Sequence, residues 1–483
     1  MLVSLYTVRV VLEVLGAEDY GIYNVVAGVV TMFSFLSGAM ATASQRYFSF
    51  NIGRQNYEQL EKTFSVTLTI YILLIFVIVV VAESFGLWFI YNKLVIPDNR
   101  ILAAKWVYHF SILSFAITLI TTPYMSSIIA HENMNVYAYV SIIEVSLKLF
   151  IVFILKKLPF DKLSMYGVLL FVVGFINTSI YRGYCKKHYV ECKFKLGWDK
   201  ELFKEISNFT GWSIFGAFST VARNQAITIL INQFFNPIIV ASRAISSQVS
   251  YALTVFSANF NTSLYAPIVK EYALDNKTKM YSLIFNGCKI TFILMWFFAL
   301  PLCLRMEYVL TIWLNRLPEY VVFFTILSVI EVLINSISLP ITTAARAPGK
   351  MKEYELVLGS LQLLIFIVSF IWIKYFDGTA EIVFYSAILI NLIMFIVRLY
   401  IVNLLITLPI RKFMIEVLIP VLVVVLFSGL PAYFINRIFP QNFSSLLLIT
   451  IITSLSSLIL FFLVGLTRDQ KLVLIHKIKA KIT

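Results

Sequence analysis

Charge is what this sequence has least of. Only 13% of its 483 residues are Asp, Glu, Lys or Arg, about half of what soluble domains carry. Polar stretches are scarce too. The longest runs roughly from Arg182 to Lys204, too short for a soluble domain. Four cysteines, at 185, 192, 288 and 303, lack the paired close spacings of a metal site, so no metal is expected. Cys185 and Cys192 flank His188 and read as free thiols of a reducing compartment. No Walker motif is present, so ATP is not the direct fuel. No basic segment precedes an A-x-A-like cleavage site, so no cleavable signal peptide is expected.

What the chain has is apolar residues, 60% of the total. Runs of about twenty recur from end to end, each long enough to cross a bilayer as a helix. A transmembrane barrel would instead show segments of about ten residues in alternating polarity. The expected fold is all-α, a polytopic membrane protein of about fourteen transmembrane helices. The first apolar segment, 1–15, is too short to span and carries Arg9 and Glu13. The first helix is therefore expected to start upstream of Met1. The second crossing is placed at 21–44, after the acidic turn of Glu18 and Asp19.

A net charge of +14 invites a nucleic-acid reading, but the positions of the charges argue against one. Alternate loops beginning with 45–62 and ending with the tail from 467 hold 24 Lys and Arg; the opposite loops hold 10. The richer set is cytoplasmic, which puts both termini in the cytoplasm and the excess charge beside anionic lipid headgroups. Five basic residues remain at membrane depth: Arg9, Lys148, Arg223, Arg243 and Lys289.

The chain also repeats itself. A shift of 217 superposes Pro123 on Pro340, Ala130 on Ala347, Met134 on Met351 and Tyr137 on Tyr354. A shift of 220 superposes Ser37 on Ser257, Thr42 on Thr262 and Asn56 on Asn276. Six helices per repeat is an even number, so the halves are parallel repeats about an axis along the membrane normal. The expected plan is an N-terminal half over 1–181 and a basic cytoplasmic linker over 182–206. A C-terminal half over 207–402, two extra helices within 413–466 and a basic tail over 467–483 complete it. Such repeats imply alternating access around a central cavity. Pro123 and Pro340 are candidate gate kinks or plain helix ends.

Three segments carry a resemblance: LEVLGAEDYGIYNVVAGVVTMFSFLSGAMATASQRYFSF, TILINQFFNPIIVASRAISSQV and YVLTIWLNRLPEY. With the fourteen-helix plan, the chain resembles the Wzx-type O-antigen and capsule flippases. These belong to the multidrug/oligosaccharidyl-lipid/polysaccharide exporter superfamily. The resemblance implies a multi-pass protein of the bacterial inner membrane acting in polysaccharide and lipopolysaccharide biosynthesis. Its substrate would be an oligosaccharide on undecaprenyl diphosphate, moved from the cytoplasmic to the periplasmic leaflet. The implied partners are that lipid-linked substrate, the bilayer, and the polysaccharide polymerase and chain-length machinery. The resemblance also places cavity arginines on the first helix, which singles out Arg9.

The membrane-depth charges fit such a substrate. A buried Arg usually faces a cavity and a partner, and it grips phosphate with paired hydrogen bonds. Arg223 lies near the midplane with no acid within a turn, and Arg243 in the outer half of the next helix among Ser242, Ser246 and Ser247. These two are the strongest candidate substrate-binding residues; structural bonds to carbonyls or a distant Glu are the rival reading. Arg9 stands four residues before Glu13 and Lys148 four after Glu144, so each has a neutralising acid on its own face. Lys289 lies close enough to its helix end to snorkel. Glu331 is a candidate carrier of a coupling proton or sodium ion, and equally a counter-ion for Lys289 or Arg223. Asn259, Asn261, Thr262, Asn391 and Arg398 are weaker candidates for sugar contacts, since such groups commonly bond helix to helix. No cofactor is expected beyond coupling Na+ or H+, and no enzymatic activity. Two alternatives stay open: a cation-coupled multidrug exporter of the same superfamily, and a membrane glycosyltransferase or polymerase on the same lipid-linked sugar.

Overall fold

A computed structural model describes residues 2–31, 33–88, 92, 96–193, 199–235, 237–314, 317–466 and 471. It contains helices and no strand among the described residues. In chain order they are α1 (Leu2–Thr31), α2 (Ser34–Gly53), α3 (Tyr57–Gly86), α4 (Ile101–Ala130), α5 (Met134–Lys157), α6 (Lys162–His188) and α7 (Lys200–Phe234). Then follow α8 (Pro237–Ala273), α9 (Lys277–Leu304), α10 (Met306–Leu314), α11 (Val321–Arg346), α12 (Lys352–Tyr375), α13 (Ile382–Ile406), α14 (Ile410–Ile438) and α15 (Phe443–Gly465). Twelve of these, α3 to α9 and α11 to α15, are long and apolar enough to cross a membrane. The chain is a multi-pass membrane protein. The first two expected crossings fall on α1 and α2, which are not among those twelve.

The second expected crossing, 21–44, is not one helix. α1 runs on through a kink at Gly16, whose φ of 79° suits a residue without a Cβ. α1 ends at Thr31 and α2 begins at Ser34. Gly21, Gly28 and Gly38, with Ser34 and Ser37, give this stretch low helix propensity. Its counterpart α8 continues unbroken through Pro267.

Contacts divide the chain into two compact units, Met1–Ala217 and Phe218–Thr483. The boundary thus lies inside α7, not at its start as the expected linker 182–206 implied. That linker belongs to the first unit. Glu191 accepts hydrogen bonds from Ser127 Oγ (3.1 Å) and bonds His131 Nε2 (2.7 Å), and Asn133 donates to Tyr189 Oη (2.5 Å). Burial pushes the Glu191 carboxyl up, but the His131 and Ser127 bonds outweigh this and hold it below the usual carboxylate range.

Each unit is built around one central helix. In the first, α4 packs on α6, α2, α1 and α3; in the second, α11 packs on α8, α13 and α9. The two extra helices, α14 and α15, pack on each other and on α9. Matching positions also serve the same local purpose in both units. Asn56 and Asn276 each cap a helix, accepting from Gln59 N (3.0 Å) and Lys279 N (3.3 Å). Each follows a left-handed residue, Gln55 or Asp275. The turn before α5 places Glu132 at φ 63°, and that before α12 places Gly349 at φ 82°, 217 positions on.

Arg100 bonds both Asp19 of α1 and Asp161 (2.7 Å) just ahead of α6. Tyr281 Oη donates to Ile406 O (2.7 Å), and Arg305 to Phe439 O (3.0 Å), each joining loops of one set.

Pro123 and Pro340 both lie inside uninterrupted helices, α4 and α11. Pro340 is a packing residue as well. A Cβ on Gly287 of α9 would stand 2.7 Å from Leu264 Cδ1 and 3.2 Å from Pro340 Cγ. The leucine tip can yield; the proline ring cannot. Gly287→Ala is therefore expected to cost about 1–2 kcal/mol net, overpacking exceeding the gain in helix propensity. A lower melting temperature in detergent than the parent protein is the check.

Candidate functional site

The second unit holds a cavity of about 730 Å³ among α7, α8, α11, α12 and α13. Three arginines line it, Arg223, Arg243 and Arg398, against one acid, Glu331. Arg223 Nη1 donates to Glu331 Oε1 at 2.9 Å, and Nη2 to Asn224 Oδ1 at 3.0 Å. Asn391 Nδ2 donates to the same Glu331 oxygen at 3.1 Å. Both charged side chains are mostly shielded, 13% and 19% exposed. Arg223 lies eleven residues from the end of α7 and Glu331 ten from the start of α11, about 16 and 15 Å deep. Equal depth lets them meet, and the 2.9 Å contact makes Glu331 the counter-ion of Arg223.

Arg243 is different. It lines the same cavity, and no hydrogen bond or ion pair holds its guanidinium among the described residues. The charges acting on it are the repelling Arg223 and the attracting Glu331. Its neighbours Ser242 and Ser246 are turned away, bonding Glu319 O (2.6 Å) and Arg243 O (2.8 Å). With three guanidinium groups and one carboxylate, the cavity carries an excess of two positive charges.

Arg398, a weaker candidate in the sequence, lies in the cavity wall, because α13 continues to Ile406. Its Nε donates to Tyr354 Oη at 3.0 Å, and Tyr354 Oη donates to Thr342 Oγ1 at 3.0 Å.

The other expected site residues lie elsewhere. Lys289 lines neither cavity described here. It is 4% exposed and donates to Gly465 O at the end of α15 at 2.8 Å, a helix-end bond in place of a substrate contact. Lys148 pairs with Glu144 at 2.6 Å, and Asn177 donates to the other Glu144 oxygen at 3.0 Å. Arg9 is carried by α1, but its side chain lies outside the described residues. Asn261 bonds Thr343 Oγ1 (3.2 Å) and Thr262 bonds Ala258 O (2.9 Å); neither lines the cavity, nor does Asn259.

Lys148 and Glu144 line a smaller cavity, about 470 Å³, in the first unit. The two cavities are built from matching positions. Ser111, Ser114, Thr118 and Thr121 of the smaller one correspond, 217 residues on, to Ser328, Glu331, Asn335 and Ser338 of the larger. Tyr23, Ser34 and Ser37 correspond, 220 residues on, to Arg243, Thr254 and Ser257. The frameworks agree while the charge differs. Where the second unit has Arg243 and Arg398, the first has Tyr23 and Tyr181.

No protein-family model matches the sequence, and no curated protein matches it in sequence. Solved structures do match in three dimensions. A MATE transporter crystallised in complex with MaD3S superposes with a TM-score of 0.72 over 84% of this chain and 92% of that one, at 14% identity. The fold is that of the MATE transporters. An outward-facing multidrug resistance MATE family transporter of the MOP superfamily gives a TM-score of 0.71 at 13% identity, covering 84% of this chain and 92% of its own. A MATE transporter variant from Vibrio cholerae gives 0.63 at 14% identity, covering 83% and 91%.

Proposed function

We propose that the protein is a flippase for lipid-linked oligosaccharides, carrying a diphosphate headgroup and its sugars from the cytoplasmic to the periplasmic leaflet of the bacterial inner membrane. Arg243 carries this reading. An unpaired guanidinium in a membrane-embedded cavity is costly, and it is accounted for when the ligand brings the missing negative charge. A diphosphate does so, and a guanidinium fork matches its oxygens. The MATE fold supports a transporter, and the segments around Gly16–Phe50 and Thr228–Val249 resemble the flippase branch of the MOP superfamily. Undecaprenyl diphosphate is the proposed lipid, with both termini cytoplasmic and the polymerase and chain-length machinery as partners downstream.

The fold likeness to a multidrug resistance transporter favours one rival, a cation-coupled drug exporter. That reading needs an acid-dominated site, and the cavity's charge is of the opposite sign. Two assays separate them. The double variant Arg223→Ala/Arg243→Ala is expected to abolish polysaccharide export in cells while remaining in the membrane, and wild type is expected to show no efflux of ethidium. Full export by the double variant overturns the assignment.

A further inference from the structure

We propose that Arg398, held by Tyr354, is a second anion-binding station of the same cavity, separate from the one at Arg223 and Arg243. The inference rests on the flippase reading and adds a place where the diphosphate sits at another depth.

The first observation is depth. α8 begins at Pro237, α11 at Val321 and α13 at Ile382, all at one end of the unit. Ser242 of α8 bonds Glu319 O just ahead of α11, and Phe324 stacks on Phe384 of α13 at 4.7 Å. Counted from that end, Arg243 lies about 9 Å down its helix, Arg223 about 16 Å and Arg398 about 24 Å. Arg243 and Arg398 thus stand about 15 Å apart along the helices, too far for one diphosphate to touch both. A path with a cation at each level is what a charged headgroup needs to cross a low-dielectric layer.

The second observation is how Arg398 is presented. Its Nε–H is committed to Tyr354 Oη, whose own hydrogen goes to Thr342 Oγ1. This fixes the guanidinium plane and leaves both Nη groups without a protein partner among the described residues. The charge of Glu355 interacts with Arg346 and Arg398, but it pairs with neither within 4 Å among the described residues. A guanidinium anchored through Nε with its fork open is poised for bidentate oxygen recognition.

The third observation is the repeat. Tyr354 and Arg398 correspond to Tyr137 and Tyr181, which line the smaller cavity. Tyrosine suffices for the framework at this place in the first unit. The second unit supplies a cation there, as it does at Arg243 against Tyr23.

The test measures binding of inorganic pyrophosphate, and separately of undecaprenyl diphosphate in nanodiscs, to the purified full-length protein at low salt. Arg223→Ala/Arg243→Ala is expected to retain residual pyrophosphate binding, weakened at least a hundredfold, which adding Arg398→Ala removes. Tyr354→Phe, which keeps the ring and frees the guanidinium, is expected to weaken that residual binding severalfold at unchanged melting temperature. Arg398→Lys keeps the charge, loses the fork and restores it only in part. If the double variant binds no pyrophosphate while Arg398→Ala alone binds like wild type, the second station is overturned and the flippase reading stands. If wild type binds neither probe, both fall. Binding of undecaprenyl diphosphate that Arg398→Ala leaves unchanged, with pyrophosphate binding lost, assigns the station to free phosphate and overturns its place on the lipid's path.

Discussion

Glu331→Ala is expected to be the most destabilising single change in the cavity, at about 3–5 kcal/mol. The carboxylate neutralises Arg223 at 2.9 Å and receives Asn391 at 3.1 Å. Removing it leaves a guanidinium, 13% exposed, with only Asn224 for company. Breaking one partner of a shielded pair costs more than the pair contributes, because the remaining charge has lost its water and its partner together. Glu331→Gln separates charge from packing. The amide can still accept from Arg223 and Asn391, so most of the stability is expected to remain, while the cavity gains one net positive charge. At about 10 Å and an effective dielectric constant of about 20, that is worth up to ~1.7 kcal/mol, a gain in pyrophosphate affinity of about tenfold at low salt. Thermal melting in detergent and binding titrations read the two effects. If Glu331 also carries a coupling proton or sodium ion, Glu331→Gln binds the anion more tightly and transports it less.

The contrast between Arg223 and Lys289 shows what sequence could carry. The twelve spans α3 to α9 and α11 to α15 were legible from apolar runs alone, because a bilayer demands length and satisfied backbone from every span. The depth of Arg223 and Glu331 followed from counting residues, and equal depth put them within reach of each other. Lys289 was the converse case. Its partner is a backbone carbonyl 176 residues away, and a carbonyl at a helix end carries no signature in side-chain pattern. Arg398 stood only among the weaker candidates for a third reason. A basic residue eight positions before a helix end reads as a loop cation unless the end is known, and positive residues are what cytoplasmic loops hold. The end of α1 at Thr31 was hidden because low helix propensity from glycine and serine is common in membrane helices that do not break.

The repeat was legible in the sequence as a few matched residues, and its meaning was not. Asn56 and Asn276 looked like weak coincidence until each proved to be the cap following a left-handed residue. The offsets that align the caps also align the cavities. Two cavities of common framework and different charge then say something that composition does not: the +14 net charge is mostly distributed over loops, yet the uncompensated part that faces a cavity is concentrated in the second unit.

Arg243→Ala is expected to uncouple stability from transport. Most substitutions in a membrane protein's interior lower stability. This one removes a cation that pairs with no described residue, and on which the repulsion of Arg223 and the attraction of Glu331 oppose each other, so the melting temperature is expected to change little. Binding should fall. Two charge-assisted hydrogen bonds to a phosphate are worth about 1.5–3 kcal/mol each, so the loss of both predicts a drop in diphosphate affinity of at least a hundredfold. Arg243→Lys keeps the charge but replaces a planar fork by a point donor, and an intermediate affinity is expected. Arg243→Glu balances the cavity's net charge to zero and should abolish anion binding at the Arg223 and Arg243 station at any salt concentration, whereas wild-type binding should weaken progressively as salt rises. A stable, membrane-inserted Arg243→Ala that binds and transports like wild type would show that the open guanidinium serves the fold and not the ligand.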